Sequence, residues 1–289
     1  MVRTRVRCCG IDSMVEEQEM SEDRVQRPAR PTISEIRDVC QPDAVRMRAN
    51  SEHWVADVYL RRISPYVTRL LVTTPISANG VTFLMILTGI GAATALLIPG
   101  LPGVLLAAIL GQMQMLLDCC DGEVARWRNT SSPKGVFLDR VGHYVTEGLI
   151  PIALGLRAAG FPEAGWAQNS WAFIGAVLAV LVLWNKALND MVHVSRAYNG
   201  LPKLSDGAGV GTPQSSGLRR LRSVARLFPF YRAYHSVELT LLALLAGVVD
   251  AFTGDLAGTK FLVAALVILG VVTVLGHLVA ILSSSKLRA

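Results

Sequence analysis

Charged and aromatic side chains are both scarce in this chain of 289 residues: Asp, Glu, Lys and Arg make up 17% and Phe, Trp and Tyr 7%, against 52% hydrophobic residues. Soluble domains carry about 25% charged residues, so this composition does not describe a chain that covers itself with an aqueous surface. Cysteine is sparse as well. The five present fall as Cys8-Cys9, Cys119-Cys120 and a lone Cys40. Without a C-x-x-C spacing they exclude a zinc ribbon or a disulfide framework and read as reduced thiols. The first fifty residues lack the apolar core that a secretory leader needs. Residues 1–50 read as a polar, poorly ordered tail on the side of synthesis. The Gly-, Ser- and Pro-rich stretch 203–216 has no P-loop spacing and reads as a flexible connection.

What is present is a series of long apolar runs. A helix needs about 20 residues to cross a bilayer, and such runs fall at about 80–98, 102–124, 136–156, 171–192, 235–252 and 260–282. The expected fold class is all-α: a polytopic membrane protein with six transmembrane helices over residues 79–289. Ahead of them Trp54, Val55, Val58, Tyr59, Ile63, Tyr66, Val67 and Leu70 recur at helical spacing, with Arg61, Arg62 and Arg69 on other faces. Residues 51–78 therefore read as a juxtamembrane amphipathic helix lying on the membrane, with Pro65 expected to kink it.

Basic residues set the expected orientation. Arg126, Arg128 and Lys134 fall between runs two and three; Arg196, Lys203, Arg219, Arg220, Arg222 and Arg226 fall between four and five; Lys286 and Arg288 close the chain. The opposite loops hold only Arg157 and Lys260 among their basic residues. The positive-inside rule then puts both termini on the cytoplasmic side, as expected for an integral protein of a bacterial inner (plasma) membrane. The net charge of +6 fits this topology and anionic lipid head groups better than nucleic acid, so no nucleic-acid partner is expected.

One string of residues concentrates the chemistry. Asp118, Asp121, Gly122 and Ala125 lie at offsets of three, four and seven, which puts two carboxylates and two small residues on one helical stripe. Across a short connection Gly135, Asp139 and His143 repeat the arrangement at steps of four. Two antiparallel helices would bring Asp118, Asp121, Asp139 and His143 to one depth. Gly122 and Gly135 would then let the backbones, or a ligand's phosphate, come close. Clustered carboxylates at that depth need compensation. Arg126, Arg128 and Arg140 would supply it in a purely structural salt-bridge set. Alternatively Mg²⁺ or Mn²⁺ would supply it, since an oxygen-rich ligand set without cysteine suits these ions and they commonly bridge protein to substrate phosphates.

The string resembles the signature of the CDP-alcohol phosphotransferase family, D-x2-D-G-x2-A-R-x8-G-x3-D-x3-D. Asp118, Asp121, Gly122, Ala125, Arg126, Gly135 and Asp139 match it in type and spacing. Asn79 and Thr82 resemble the family's polar start of the first span. The resemblance implies a homodimer, two divalent ions held by Asp118, Asp121 and Asp139, and a cytidine nucleotide flanked by Gly122, Ala125 and Arg126. It also implies a CDP-linked donor, a hydroxyl acceptor and release of CMP, as in phospholipid biosynthesis. The chain departs at His143, where the family has its fourth Asp, the residue cast as general base. An imidazole can accept a proton or ligate a metal, Glu147 one turn on can share the role, or the site has lost turnover.

A second polar set, Lys186, Asn189, His193 and Arg196, follows one side of the fourth run. Lys186 and Arg232 read as lining an acceptor or phosphate pocket, whereas Arg219 to Arg226 read as lipid-facing. His53, His235 and His277 read as surface or packing residues. Three functions stay open: transfer from a CDP-diacylglycerol-like donor to a small polyol or its phosphate, transfer from a small CDP-alcohol to a lipid, and a non-catalytic membrane scaffold. A transporter is disfavoured because the polar residues gather at one mouth and do not line a midplane path.

Overall fold

The computed structural model describes residues 27–42, 59–163, 170–202, 204 and 233–287. Among these the secondary structure is helical: α1 (Ile33–Cys40), α2 (Arg61–Val72), α3 (Ala78–Ala95), α4 (Gly100–Trp127), α5 (Pro133–Ala158), α6 (Ser170–Tyr198), α7 (Ser236–Thr253) and α8 (Ala257–Leu282), then a 3₁₀ turn at Ser285–Leu287. The helices start where capping chemistry allows. Ser77 and Ser132 accept hydrogen bonds from the amides of Gly80 (3.1 Å) and Gly135 (3.2 Å), and Pro133 opens α5 where its missing N–H costs nothing.

Six long helices close into a ring. In order around it, α3 packs on α4, α4 on α7, α7 on α8, α8 on α6, α6 on α5, and α5 back on α3. The apolar core fills one half, where Leu96, Val104, Ile150, Leu154, Leu178 and Leu239 are fully enclosed. Buried Arg157 closes that end, donating to the carbonyls of Leu96 (3.3 Å), Ile98 (2.9 Å) and Gly100 (2.8 Å). Large apolar side chains such as Phe83, Ile109, Phe173, Leu245 and Ile268 face outward. Five helices, α3, α4, α6, α7 and α8, are long and apolar enough to cross a membrane by length and composition. With this outer surface the chain is an integral membrane protein. The remaining expected span, the third at 136–156, coincides with α5, which carries Lys134, Asp139, Arg140, His143, Glu147 and Arg157 and falls short of that apolarity. The fourth run extends further than expected, to Tyr198, because its polar end continues as helix.

The segment before the ring also differs from expectation. Residues 33–40, within the stretch read as tail, form a helix that packs on α2 and α4. In α2 the apolar residues Ile63, Tyr66 and Leu70 face outward, whereas Ser64, Pro65 and Thr68 are buried against the ring. The helix continues through Pro65. Proline offers no amide to the carbonyl one turn back, and the Gln41 side chain fills the vacancy by donating to the Arg61 carbonyl (2.9 Å). Residues 51–58 of the proposed amphipathic helix lie outside the described residues.

At one crossing, α5 with α6, the two backbones come into direct contact. A Cβ on Gly155 would lie 2.5 Å from the Cα of Gly175, and one on Gly175 would lie 2.5 Å from the Cα of Gly155. Backbone meets backbone there, so nothing flexible can give way. Gly155→Leu is expected to destabilise the protein by about 3 kcal/mol or more, read as a lowered melting temperature of the detergent-solubilised protein; an unchanged midpoint would show that the helices can separate.

Candidate active site

The acidic string lies at the end of the ring opposite Arg157, and α3 is central to it. α3 packs against both α4 and α5, whereas α4 and α5 do not pack on each other along their length. The close approach of these two backbones, one of the options that Gly122 and Gly135 opened, is therefore not what the glycines serve. Gly122 instead makes room for a side chain: a Cβ there would lie 3.1 Å from Nη1 of Arg126. Gly135 lies beside Asn79, whose Oδ1 would be 3.3 Å from an added Cβ.

Side chains bridge the gap that the backbones leave. His143 Nε2 lies 2.9 Å from Asp118 Oδ1 and 3.5 Å from Asp139 Oδ1. Donor atoms of Asp118, Asp139 and His143 all fall within 4.8 Å of one another, a separation that a single cation can span. Asp121 is buried one turn along α4 and accepts a hydrogen bond from Thr82 Oγ1 at 2.6 Å. Thus α3 places Thr82 against Asp121 and Asn79 beside Gly135. Ala125 is partly buried in an apolar cluster with Ala78, Val81, Cys120 and Val124.

Behind His143 lies a second, more enclosed group. Its Nδ1 is 3.6 Å from Oε1 of Glu147, a buried carboxylate that also takes Lys186 Nζ at 2.8 Å and meets His235 Nδ1 at 3.3 Å. Lys186 therefore neutralises a buried acid. His235, read from sequence as a surface or packing residue, meets Glu147 from the start of α7. His277, read the same way, pairs with Asn185 at 2.9 Å. Arg232 and His53 lie outside the described residues.

The arginines near this end of the ring make contacts of their own. Arg128 donates to the carbonyls of Leu71 (3.1 Å), Val72 (3.2 Å) and Thr74 (2.7 Å), closing the end of α2. Arg140 pairs with Asp190, which also accepts from Tyr144 (3.1 Å). Arg196 holds the carbonyls of Pro202 and Lys286 at the end of α6. Arg126 Nε donates to the Cys40 carbonyl at 2.7 Å.

Glu123 is the acid that the spacing argument passed over. It is buried, and its carboxylate accepts from Gln41 Nε2 (2.8 Å), Ser64 Oγ (2.6 Å) and Thr68 Oγ1 (2.6 Å). Two residues past Asp121 it points about 200° away around the helix, off the stripe and toward α1 and α2. An acid inside an apolar run is the signal that could have found it.

Residues 75–203 match the family model described as CDP-alcohol phosphatidyltransferase. No curated protein matches the chain. The matched region begins just ahead of α3 and runs past α6, so it includes Asn79, Thr82, the acidic string, Glu147 and Lys186.

Breaking a buried ion pair from one side strands the other charge. Lys186→Met is expected to cost about 3 kcal/mol, measurable as reduced thermal stability in detergent, and Lys186→Met with Glu147→Gln should recover most of the loss. Equal destabilisation by the single and double variants would show that the pair is not the source.

Proposed function

With residues 75–203 a CDP-alcohol phosphatidyltransferase region, we propose that this membrane-embedded transferase moves a substituted phosphate from a CDP-diacylglycerol-like donor to a hydroxyl acceptor and releases CMP. The observation that carries this reading is the convergence of Asp118, Asp139 and His143 donor atoms within 4.8 Å at one mouth of the ring. The arrangement fits a divalent metal: two carboxylates face an imidazole, drawn from two helices that α3 holds apart. Asp118, Asp121 and Asp139 would hold Mg²⁺ or Mn²⁺, two ions in the full site, with the His143 imidazole beside them as the base and not as a ligand. Such ions supply positive charge against the diphosphate of the donor.

The chain's own residues account for the rest. Asn79 and Gly135 lie side by side at the mouth of the ring, and Gly122 leaves space in which the Arg126 guanidinium can reach a phosphate oxygen. The acceptor oxygen attacks the phosphorus that bears the donor alcohol. The bond from that phosphorus to the diphosphate bridging oxygen breaks, and CMP leaves with its electron pair. His143 takes the hydroxyl proton at Nε2, the nitrogen that faces the acids, while Glu147 lies against Nδ1 and fixes the ring. Lys186 holds Glu147 in place, and the acceptor or phosphate role that the sequence suggests for Lys186 and Arg232 belongs to the same proposal. The six-span topology with cytoplasmic termini, the surface-lying segment 51–78 and a homodimer complete this reading.

A specific contact favours the scaffold alternative: the imidazole that replaces the fourth signature Asp lies directly on Asp118, at 2.9 Å, where a cation could sit. CMP release separates the two. Purified protein with Mg²⁺ or Mn²⁺ is expected to release CMP from a CDP-alcohol, with CDP-diacylglycerol as the preferred donor over a small CDP-alcohol. Asp118→Asn and Asp139→Asn should reduce release to background, His143→Ala should slow it by about 10²-fold or more, and His143→Asp should retain or raise it. Full activity of His143→Ala would exclude the base role, and a wild type that releases no CMP from any donor would favour the scaffold.

A further inference from the structure

The face of α4 opposite the acids is held as firmly as the acids themselves. Glu123 takes three hydrogen bonds there, from a glutamine just after α1 and two hydroxyls of α2. The Cys40 thiol donates to the Glu123 carbonyl at 3.3 Å. Burial pushes this thiol up to about 11, so it remains a neutral donor at physiological pH. Arg27 reaches the carbonyls of Arg126 and Trp127 and lies over the Trp127 ring, 5.4 Å from its centre. Residues 27–42 are thus fastened to the last two turns of α4.

The same segment touches the one signature cation. The Cys40 carbonyl, at the end of α1, accepts from Arg126 Nε, and the guanidinium lies over Gly122. With Nε occupied, the two terminal nitrogens are turned along α4 in a fixed plane. A carbonyl at a helix C-terminus is a strong acceptor for a guanidinium. Arg126 therefore owes its orientation to a residue 86 positions earlier.

We infer that Glu123 and the segment 27–42 form a clamp that orients Arg126 for a nucleotide phosphate, with Glu123 and the Cys40 carbonyl as positioning groups. This rests on the CDP-donor reading for the identity of the ligand, although not for the clamp. Glu123 meets no reacting atom in this scheme. It fixes Gln41, Gln41 fixes the chain just after Cys40, and Cys40 fixes Arg126.

Two measurements test the clamp. In the first, full-length protein in detergent is treated with N-ethylmaleimide, and alkylation of Cys40 is followed by mass spectrometry. Cys40 should be protected in the wild type and labelled at least about tenfold faster in Glu123→Ala, with Glu123→Gln intermediate. In the second, CDP binding in the presence of Mn²⁺ is measured by calorimetry in a double-mutant cycle. Arg126→Ala and Glu123→Ala should each weaken binding about tenfold, and the double variant should bind no more weakly than Arg126→Ala, because both act through one guanidinium. Helicity unchanged by circular dichroism verifies that the variants fold.

Unchanged Cys40 labelling in Glu123→Ala would overturn the clamp. Additive losses in the cycle would overturn its link to Arg126. Wild type that binds CDP with the expected cycle yet releases no CMP would overturn the transfer reaction and support the clamp. Wild type that binds no CDP would overturn both the donor reading and the phosphate role of Arg126.

Discussion

Carboxylates in an apolar helix ring persist only if something compensates them, and the protein solves this differently at each acid. Glu123 receives neutral donors on the outer face of α4. Glu147 receives a lysine and a histidine in the interior. Asp121 receives a threonine hydroxyl from α3. Asp118 and Asp139 instead converge on one imidazole at the mouth. At Glu123 and Glu147 the geometry is fixed by groups that cannot leave. At Asp118 and Asp139 the partner is a group that could exchange its role with a cation, which is what the proposed metal site requires.

Most of the helical architecture was legible in the sequence because apolar runs bounded by Ser, Pro and Gly leave few other ways to satisfy the backbone. The convergence of Asp118, Asp139 and His143 was also legible, since steps of three and four fix a helical stripe. What the spacing did not show is that α4 and α5 stay apart and that α3 stands between them. Stripe arithmetic gives the direction of a side chain, but not the distance between two helix axes. The end of α6 was placed early for a related reason: Lys186, Asn189, His193 and Arg196 break the apolar run without breaking the helix.

The missed residues share one property, a partner far away in the chain. Glu123 meets Ser64 and Thr68 across 59 and 55 positions, and His235 meets Glu147 across 88. A histidine at the start of an apolar run has no local pattern that tells a ligand of a buried acid from a packing residue. Pro65 is similar. The sequence predicts what the proline takes away from its helix, whereas the glutamine that replaces the lost donor comes from a separate segment.

The uneven polarity of α5 has a consequence for how such a chain is made. On insertion scales a charged Asp, Lys or Arg costs about 2.5–3.5 kcal/mol at the helix centre and less toward its ends, and α5 carries Asp139, Arg140 and Glu147 inside its length besides His143, with Lys134 and Arg157 at its ends. As the sixth span of the proposed topology, this helix would be disfavoured alone in lipid and would gain its place when Lys186 and the Gly175 crossing of α6 emerge to receive it, a delayed, pairwise event in which a later segment admits an earlier one.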